Sequence, residues 1–459
     1  MSKFLNKKLG DLAAPGRSVI SGPFGSNIGK RFFKEDGVPV IRGNNLTTDF
    51  NKFVDDGFVF LTEEKANELN SDAKEGDILF TAAGTIGQVG MIPCDAKHPR
   101  YVISNKQLRF RVDKDKADPD YVYYWLASPW IRKTIINRNT GSTVPLINLG
   151  IIKSLPINLP EELLIQSAIS ETLSTIDKKI ELNNRINTEL EAMAKTLYDY
   201  WFVQFDFPDA NGKPYKASGG KMVYNPVLKR EIPQGWSVCE LGEHITFERG
   251  ISYRSKDITE TGTPLVNLNS FALTGKFKPN GTKYFSGSYK PEKLCNIGDL
   301  VIAITDVTRN ADIIGKSFIV PDAFEGKRAL ISCDVALVKS NYFGNAYLER
   351  LFNSNHYHNY IKQFASGTLV LHLDLKGVNW YRTERPPREL LSRFEDFCTP
   401  LFQQRDIVLH ENKKLEELRD WLLPMLMNGQ ITVKPSTESK EAQHGLKISL
   451  SLCMTDKTF

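Results

Sequence analysis

Few residues of this chain stand at spacings that chemistry needs. His356 and His358 are close enough to share a metal ion, but no third ligand sits at helical or hairpin distance. An ordinary exposed pair on a helix is the simpler reading. Cys94 and Cys333 have no histidine nearby in sequence to activate them. Asp306 and Asp312 flank Arg309, which reads as a loop salt bridge before it reads as a metal or nuclease site. Tyr224-Asn225-Pro226-Val227 lacks the second proline and the aromatic with which an Asn-Pro-Pro-aromatic site stacks a flipped base. No Gly-x-x-x-x-Gly-Lys-Ser/Thr stretch offers a phosphate cradle, and no Gly-x-Gly-x-x-Gly follows a strand. A chain of 459 residues without a coherent catalytic set reads as a binding protein.

The residues that suggest binding lie in loops. Ser21-Gly22-Pro23-Phe24-Gly25-Ser26-Asn27-Ile28-Gly29-Lys30-Arg31 combines flexible glycines, small donors and two cations, and supplies Ser21, Ser26, Asn27, Lys30 and Arg31 as candidates. Arg42, Asn44 and Asn45 follow a strand; Asn105, Lys106 and Gln107, then Ser142 and Thr143, add amides, a cation and hydroxyls. Further along come Arg249, Tyr253, Arg254 and Lys256, then Asn267 and Asn269, then Thr308, Arg309 and Asn310, and finally Thr368. Side chains of these types read base edges and hold phosphates. Each loop alone is weak, because the same residues also serve turns and solvent.

The framework that would hold these loops occurs twice. Lys8-Leu9-Gly10-Asp11 returns as Glu240-Leu241-Gly242-Glu243, Gly37-Val38-Pro39-Val40 as Gly262-Thr263-Pro264-Leu265, and Gly76-Asp77-Ile78-Leu79 as Gly298-Asp299-Leu300-Val301. Tyr121, Leu126 and Ser128 match Tyr347, Phe352 and Ser354 at a constant offset of 226. A unit this long is a whole domain, not a solenoid repeat. Apolar stretches such as Val38–Ile41, Asp77–Phe80 and Gln107–Val112 are bounded by turn formers and predict strands. One helix is predicted from Pro119 to about Arg138, opened by Asp118-Pro119. The framework repeats while the loops differ, so two modules on one scaffold would read two different sequences.

Each copy runs into an amphipathic helix. The first has apolar steps through Ile169, Leu173, Ile176, Ile180, Asn183, Asn187, Leu190, Ala194 and Leu197. The second steps through Phe394, Phe397, Leu401, Gln404, Val408, Glu411, Leu415, Leu418, Leu422 and Met425. Both are heptad seams that turn polar at the middle, at Asn183 and Asn187 in one and Gln404 and Glu411 in the other. Matching polar centres predict that the helices pair, antiparallel, because buried polar seam residues fix register.

The totals exclude several classes. The chain is 41% hydrophobic, ordinary for a globular protein, and has no apolar run long enough for a membrane span. Met1–Asn6 has no apolar signal core. Cysteines 94, 239, 295, 333, 398 and 453 are scattered without a Cys-x-x-Cys pair, which argues against a disulfide framework and for a reducing cytoplasm. A net charge of +5 permits a polyanionic partner without demanding one.

Leu197-Tyr198-Asp199-Tyr200-Trp201-Phe202-Val203-Gln204-Phe205-Asp206-Phe207-Pro208 resembles the end of the central helix of the specificity (S) subunits of type I restriction-modification systems. Gly212-Lys213-Pro214-Tyr215-Lys216 and Glu231-Ile232-Pro233-Gln234-Gly235-Trp236 are similar to that family's lead into its second recognition domain, and Ser21–Ser26 and Glu75–Leu79 to its first-domain framework. The second copy departs more: Arg249-Gly250-Ile251-Ser252-Tyr253 stands where a Phe-Gly-Ser stretch would be, and Leu371-His372-Leu373-Asp374 replaces Leu146-Ile147-Asn148. The resemblance covers the chain to about residue 433. It implies an α/β (α+β) fold: two similar target-recognition domains separated by two long helices in an antiparallel coiled coil. The expected bounds are 1–160 and 236–387 for the domains, 161–205 and 388–429 for the helices, 206–235 for the linker and 430–459 for a flexible tail. It also implies a non-catalytic subunit that binds double-stranded DNA with a bipartite target, docks two methyltransferase subunits, and is joined by motor-nuclease subunits. S-adenosylmethionine, ATP and Mg2+ would belong to those partners; no cofactor or metal is expected on this chain. The alternative is a coiled-coil adaptor that binds proteins without DNA, and a free-standing methyltransferase or nuclease is disfavoured by the missing motifs.

Overall fold

A computed structural model describes residues 3–433. They divide into two compact units: one holds residues up to Glu181 together with those from Leu415 onward, the other Leu182–Lys414.

The first unit is built on two sheets. Val19–Ser21, Gln107–Arg111, Asp77–Thr81 and Val89–Met91 lie side by side in that order, all antiparallel. The other sheet runs Val59–Leu61, Val38–Ile41, Tyr101–Ile103, Asp72–Ala73, and its central pair, Val38–Ile41 with Tyr101–Ile103, is parallel. Asp77–Thr81 is buried along its whole length. Its alternating side chains serve two cores: Ile78 and Phe80 enter the larger, Leu79 the smaller. Strand Phe4–Lys8 pairs with Pro156–Pro160 and closes the globule.

The second unit repeats this order. Ile245–Arg249, Val335–Ser340, Leu300–Ala303 and Ser317–Ile319 form the first sheet. Ile258–Thr259, Lys283–Phe285, Thr263–Val266, Ala329–Ile331 and Leu294–Cys295 form the second, which gains one edge strand but keeps its parallel pair, Thr263–Val266 with Ala329–Ile331. Leu300 and Ile302 face one core, Val301 and Ala303 the other. Ser237–Glu240 with Arg382–Arg385 closes this globule as in the first. The strands expected at Val38, Asp77 and Gln107 are present.

The helix expected over 119–138 is two helices, Pro119–Ala127 and Pro129–Asn137. Ser128 between them is extended, at φ −60° and ψ 148°. A residue before proline is pushed out of the helical region, and Pro129 has no N–H to continue the ladder.

The long helices are α1 (Leu163–Tyr198), followed by one wide π-type turn over Asp199–Val203, and α2 (Arg388–Met427). In the first unit Ile169, Leu173, Ile176 and Ile180 share a core with Leu422, Leu423, Leu426 and Met427. In the second, Ala194 and Tyr198 share one with Leu391, Phe394 and Cys398. The start of α1 therefore meets the end of α2 and the reverse, so the pair is antiparallel. The expected seam of α1 stands. That of α2 is half wrong. Phe397 and Leu418 are 56% and 42% exposed and Gln404 is exposed. The buried positions one residue on hold Cys398, Arg405, Asn412, Arg419 and Leu426. An apolar pattern cannot show arginines in a seam, and these are paired. Arg419 Nη1 is 3.0 Å from Asp177 Oδ1, and Arg405 Nη2 donates to Asp406 Oδ1 at 2.8 Å. The expected polar centre is present at Asn183, whose amide donates to Glu411 Oε2 and Asn412 Oδ1, each at 2.8 Å.

Between the helices, Phe207 stacks on Tyr215 with ring centroids 4.7 Å apart, and Met222–Asn225 pairs with Arg230–Pro233 as a hairpin. Of the tail, Ile431 is buried in the first core; the stretch from 434, expected to be flexible, lies outside the described residues. Among the described residues no helix is long and apolar enough to cross a membrane.

Candidate nucleic-acid interface

Parallel neighbours end on the same edge of a sheet, so the loops that follow them meet. In the first unit the pairing of Ile41 with Ile103 sets Arg42–Asn45 beside Ser104–Lys106. A third loop joins them, because Ser21 pairs with Leu108 and Gly22 N donates to Gln107 O at 3.0 Å. Gly22 is required there: a Cβ would stand 1.8 Å from Ser104 O. The three loops enclose an open cleft of about 340 Å3, lined by Ile28, Phe33, Arg42, Gly43, Asn44, Ser104, Asn105 and Lys106. Its lining carries two cations, two carboxamides and a hydroxyl, and no carboxylate.

Four of the expected residues thus come together: Arg42, Asn44, Asn105 and Lys106. Asn44, Asn105 and Lys106 are exposed; Arg42 is half-buried, with Nη2 donating to Gly57 O at 2.8 Å. Ser21, Ser26, Asn27, Lys30 and Arg31 are exposed on the adjoining loop. Asn45 and Gln107, also expected among the contacts, do not join the exposed set: both are fully buried and their polar atoms are engaged inside the fold. Asn45 accepts from Arg42 N at 2.9 Å and donates to Val54 O and Asp56 O at 2.8 and 2.9 Å, which locks the loop. Gln107 sits among Ser104 Oγ, Ile41 O and Gly43 N. Ser142 and Thr143 are exposed on a separate turn that Asn139 holds by accepting from Gly141 N and Leu146 N at 2.8 Å each.

The second unit uses the same edge with other residues. Val266 pairs with Ile331, so Asn267–Ser270 lies beside Ser332–Asp334. Gly250 repeats the close approach of Gly22, a Cβ there standing 2.1 Å from Ile331 O. Asn267, like Asn45, is a buried loop lock: its amide donates to Leu265 O and Gly281 O at 3.1 and 2.9 Å, and its oxygen accepts from Asn269 N at 2.8 Å. Asn269, Arg249, Arg254, Lys256 and Thr368 are exposed, and Tyr253 is half-buried beside Lys283, whose ammonium is 3.3 Å from the phenol oxygen. Where the first unit has Asn105-Lys106, the second has Cys333-Asp334. Asp334 accepts from Thr305 Oγ1 at 3.1 Å. Burial, then the Asp334 carboxylate, pushes the Cys333 thiol up, away from a nucleophile.

The loop between the sheet's inner strands also differs. Phe80 pairs with Val89 and Ile302 with Ser317, so residues 81–88 correspond to the longer 303–316. The expected salt bridge around Arg309 is absent among the described residues. Asp306 is fully buried and accepts instead from Thr308 N, Ile313 N and Ile314 N at 2.6, 2.5 and 2.8 Å. That bracing presents Arg309 and Asn310 to solvent, while Thr308 is half-buried and accepts from Asp312 N at 2.8 Å. His358 was expected on an exposed face; it is buried, 3.0 Å from Ala311 O through Nε2, and its ring is pushed down to about 4, by burial first and then by Lys316 and Lys362.

Sequence reasoning missed Lys316. It is 8% exposed, and its ammonium has no hydrogen bond or ion pair among the described residues. Burial, with Lys362 nearby, pushes that ammonium down. The corresponding Gln88 is satisfied, accepting from Thr81 Oγ1 at 2.8 Å and donating to Leu46 O at 2.7 Å. Only an alignment of the two copies through the unequal loops would have singled Lys316 out. The Asn225-Pro226 pair, by contrast, is a hairpin corner: Asn225 Oδ1 accepts from Val227 N and Leu228 N at 3.0 and 3.1 Å.

Residues 6–192 match the profile of the type I restriction modification DNA specificity domain. The type I restriction enzyme MjaIX specificity subunit of Methanocaldococcus jannaschii is 25% identical over 439 residues, 93% of each chain. The HindI specificity subunit of Haemophilus influenzae is 24% identical over 404 residues, 78% of this chain and 87% of that one. In fold, the chain is similar to the crystal structure of a type I restriction-modification S subunit from M. genitalium, at a TM-score of 0.52 and 15% identity, covering 93% of this chain and 96% of that one.

Proposed function

We propose that this chain is a specificity subunit of the type I restriction-modification family and reads a bipartite DNA target with one globule for each half. The observation that carries this reading is the shared edge. In each globule the loops that follow two parallel strands converge, on the same framework, with different side chains. The first edge offers donors: Arg42, Asn44, Asn105 and Lys106. An arginine or lysine suits guanine O6 and N7, and an asparagine suits adenine N6 and N7. The second edge offers Asn269 and the carboxylate of Asp334, which suits the amino group of cytosine. The recognition domains are 1–160 and 236–387, the spacer helices 161–205 and 388–429, and the linker 206–235.

The chain itself carries no chemistry in this reading. The helix pair docks two methyltransferase subunits, and motor-nuclease subunits complete the restriction complex; S-adenosylmethionine, ATP and Mg2+ are theirs. Titrating fluorescent duplexes with the chain and its methyltransferase subunits at rising salt tests the reading. Tight binding that depends on sequence in two blocks and falls steeply with salt is expected, because released counterions dominate the affinity. Assembly with the methyltransferase but no DNA affinity at any salt would leave the protein-only adaptor.

A further inference from the structure

Phe24 is 84% exposed at the tip of the loop that forms one wall of the first cleft. A lone exposed apolar residue is ordinary, but the backbone on both sides of this one is anchored. Gly22, before it, is pinned to the neighbouring strand through Gln107 O, and Asn27 N donates to Phe24 O at 2.9 Å. Gly25, after it, approaches Asn105 so closely that a Cβ would stand 3.1 Å from Nδ2. The backbone thus holds Phe24 on the loop beside Asn105, and its ring has no protein surface to cover it. The second globule breaks the pattern: counted from Gly250, which repeats Gly22, the same place holds Ser252.

We infer that Phe24 is a base-contacting residue of the first half-site, its ring laid against a base rather than against protein. This rests on the DNA-reading function proposed above. Two apolar contacts share this chemistry: insertion of the ring at a base step, which unstacks it, and packing on the methyl group of a thymine. Either would act on the first half-site only.

The test uses the chain assembled with its methyltransferase subunits and duplexes carrying the preferred target. Phe24→Ala should weaken binding roughly tenfold, the effect of one lost base–aromatic contact, while Phe24→Trp restores most of it. The loss should persist when the second half-site is scrambled and vanish when the first is. Insertion predicts that 2-aminopurine in the first half-site brightens with the wild-type chain and not with Phe24→Ala. A methyl contact predicts that deoxyuridine for thymine reproduces the Phe24→Ala loss. Equal affinity and preference for Phe24→Ala would overturn the inference, as would a loss of methyltransferase assembly in place of a loss of DNA binding. If the wild-type complex shows no bipartite preference, the functional reading falls first. Phe24 lies outside every core, so the variant tests contact and not folding.

Discussion

The two globules share two sheets in the same order, one of them a strand longer in the second globule, and differ at the edge where their loops meet. In the first, two short loops and a glycine-pinned third enclose a cleft lined by cations and amides. In the second, a carboxylate replaces a lysine, and a longer loop, braced by the buried Asp306, projects Arg309 and Asn310. Framework and reading surface are thus separable. Buried amides at Asn45 and Asn267 lock the loops in both copies, and the exposed residues beside them are free to change. The helix seam shows the same division. Its first-unit half is ionic, with Arg419 against Asp177 and Tyr124 Oη donating to Asp177 at 2.6 Å; in the second unit the seam opens on amides, with Asn183 donating to Asn412 and to the Glu411 carboxylate.

Breaking the seam should show the largest effect. Arg419→Met leaves Asp177 buried without its cation and should destabilise the first unit by about 3–5 kcal/mol. Asn412→Leu in the amide half should cost only about 1–3 kcal/mol. Urea unfolding of each variant measures the difference, and equal losses would mean the ionic half is no more demanding than the amide one.

The long loop comes next. Asp306→Ala strips three N–H groups of their acceptor, and each costs about 1–3 kcal/mol if it stays buried. The loop should open, and selections from randomised duplexes should show the second half-site relaxed with the first intact. A smaller change is expected of Lys316→Gln, which makes the second globule resemble the first at that point. If Lys316 meets a phosphate, binding should weaken alike for all sequences and the slope of log affinity against log salt should flatten by about one. An unchanged slope would assign Lys316 to packing.

The mildest expectation concerns pH. His358 is pushed down to about 4, below its ordinary value, so the unfolded chain takes up protons that the fold refuses. Its contribution is fully present above about 6.5 and is lost as pH falls toward 4. Melting of the second unit should drop through that window, and His358→Gln should flatten the drop while leaving the first unit alone.

Much of this was legible in the sequence because it rests on local patterns. Val38–Ile41 and Asp77–Thr81 are apolar runs that each serve two cores, and the repeat exposes the common framework. The break at Ser128 could be read from Pro129 alone. The α2 seam could not, since Arg405, Asn412 and Arg419 look like surface until Asp177 and Asn183 are placed opposite. The candidate site was half legible. Parallel pairing, which no single strand announces, is what gathers Arg42, Asn44, Asn105 and Lys106. Asn45 and Asn44 are neighbours of one type, and only burial separates the loop lock from the proposed reader.

The claim that each globule reads its own half-site is tested most directly by mapping methylated bases across a genome. The complex would carry Asn44→Ala and Asn105→Ala, two exposed residues whose loss spares the core. The predicted map keeps one block of the target unchanged and becomes degenerate at one or two positions of the other. A map in which both blocks relax together, or neither does, would contradict the division of labour between the two globules.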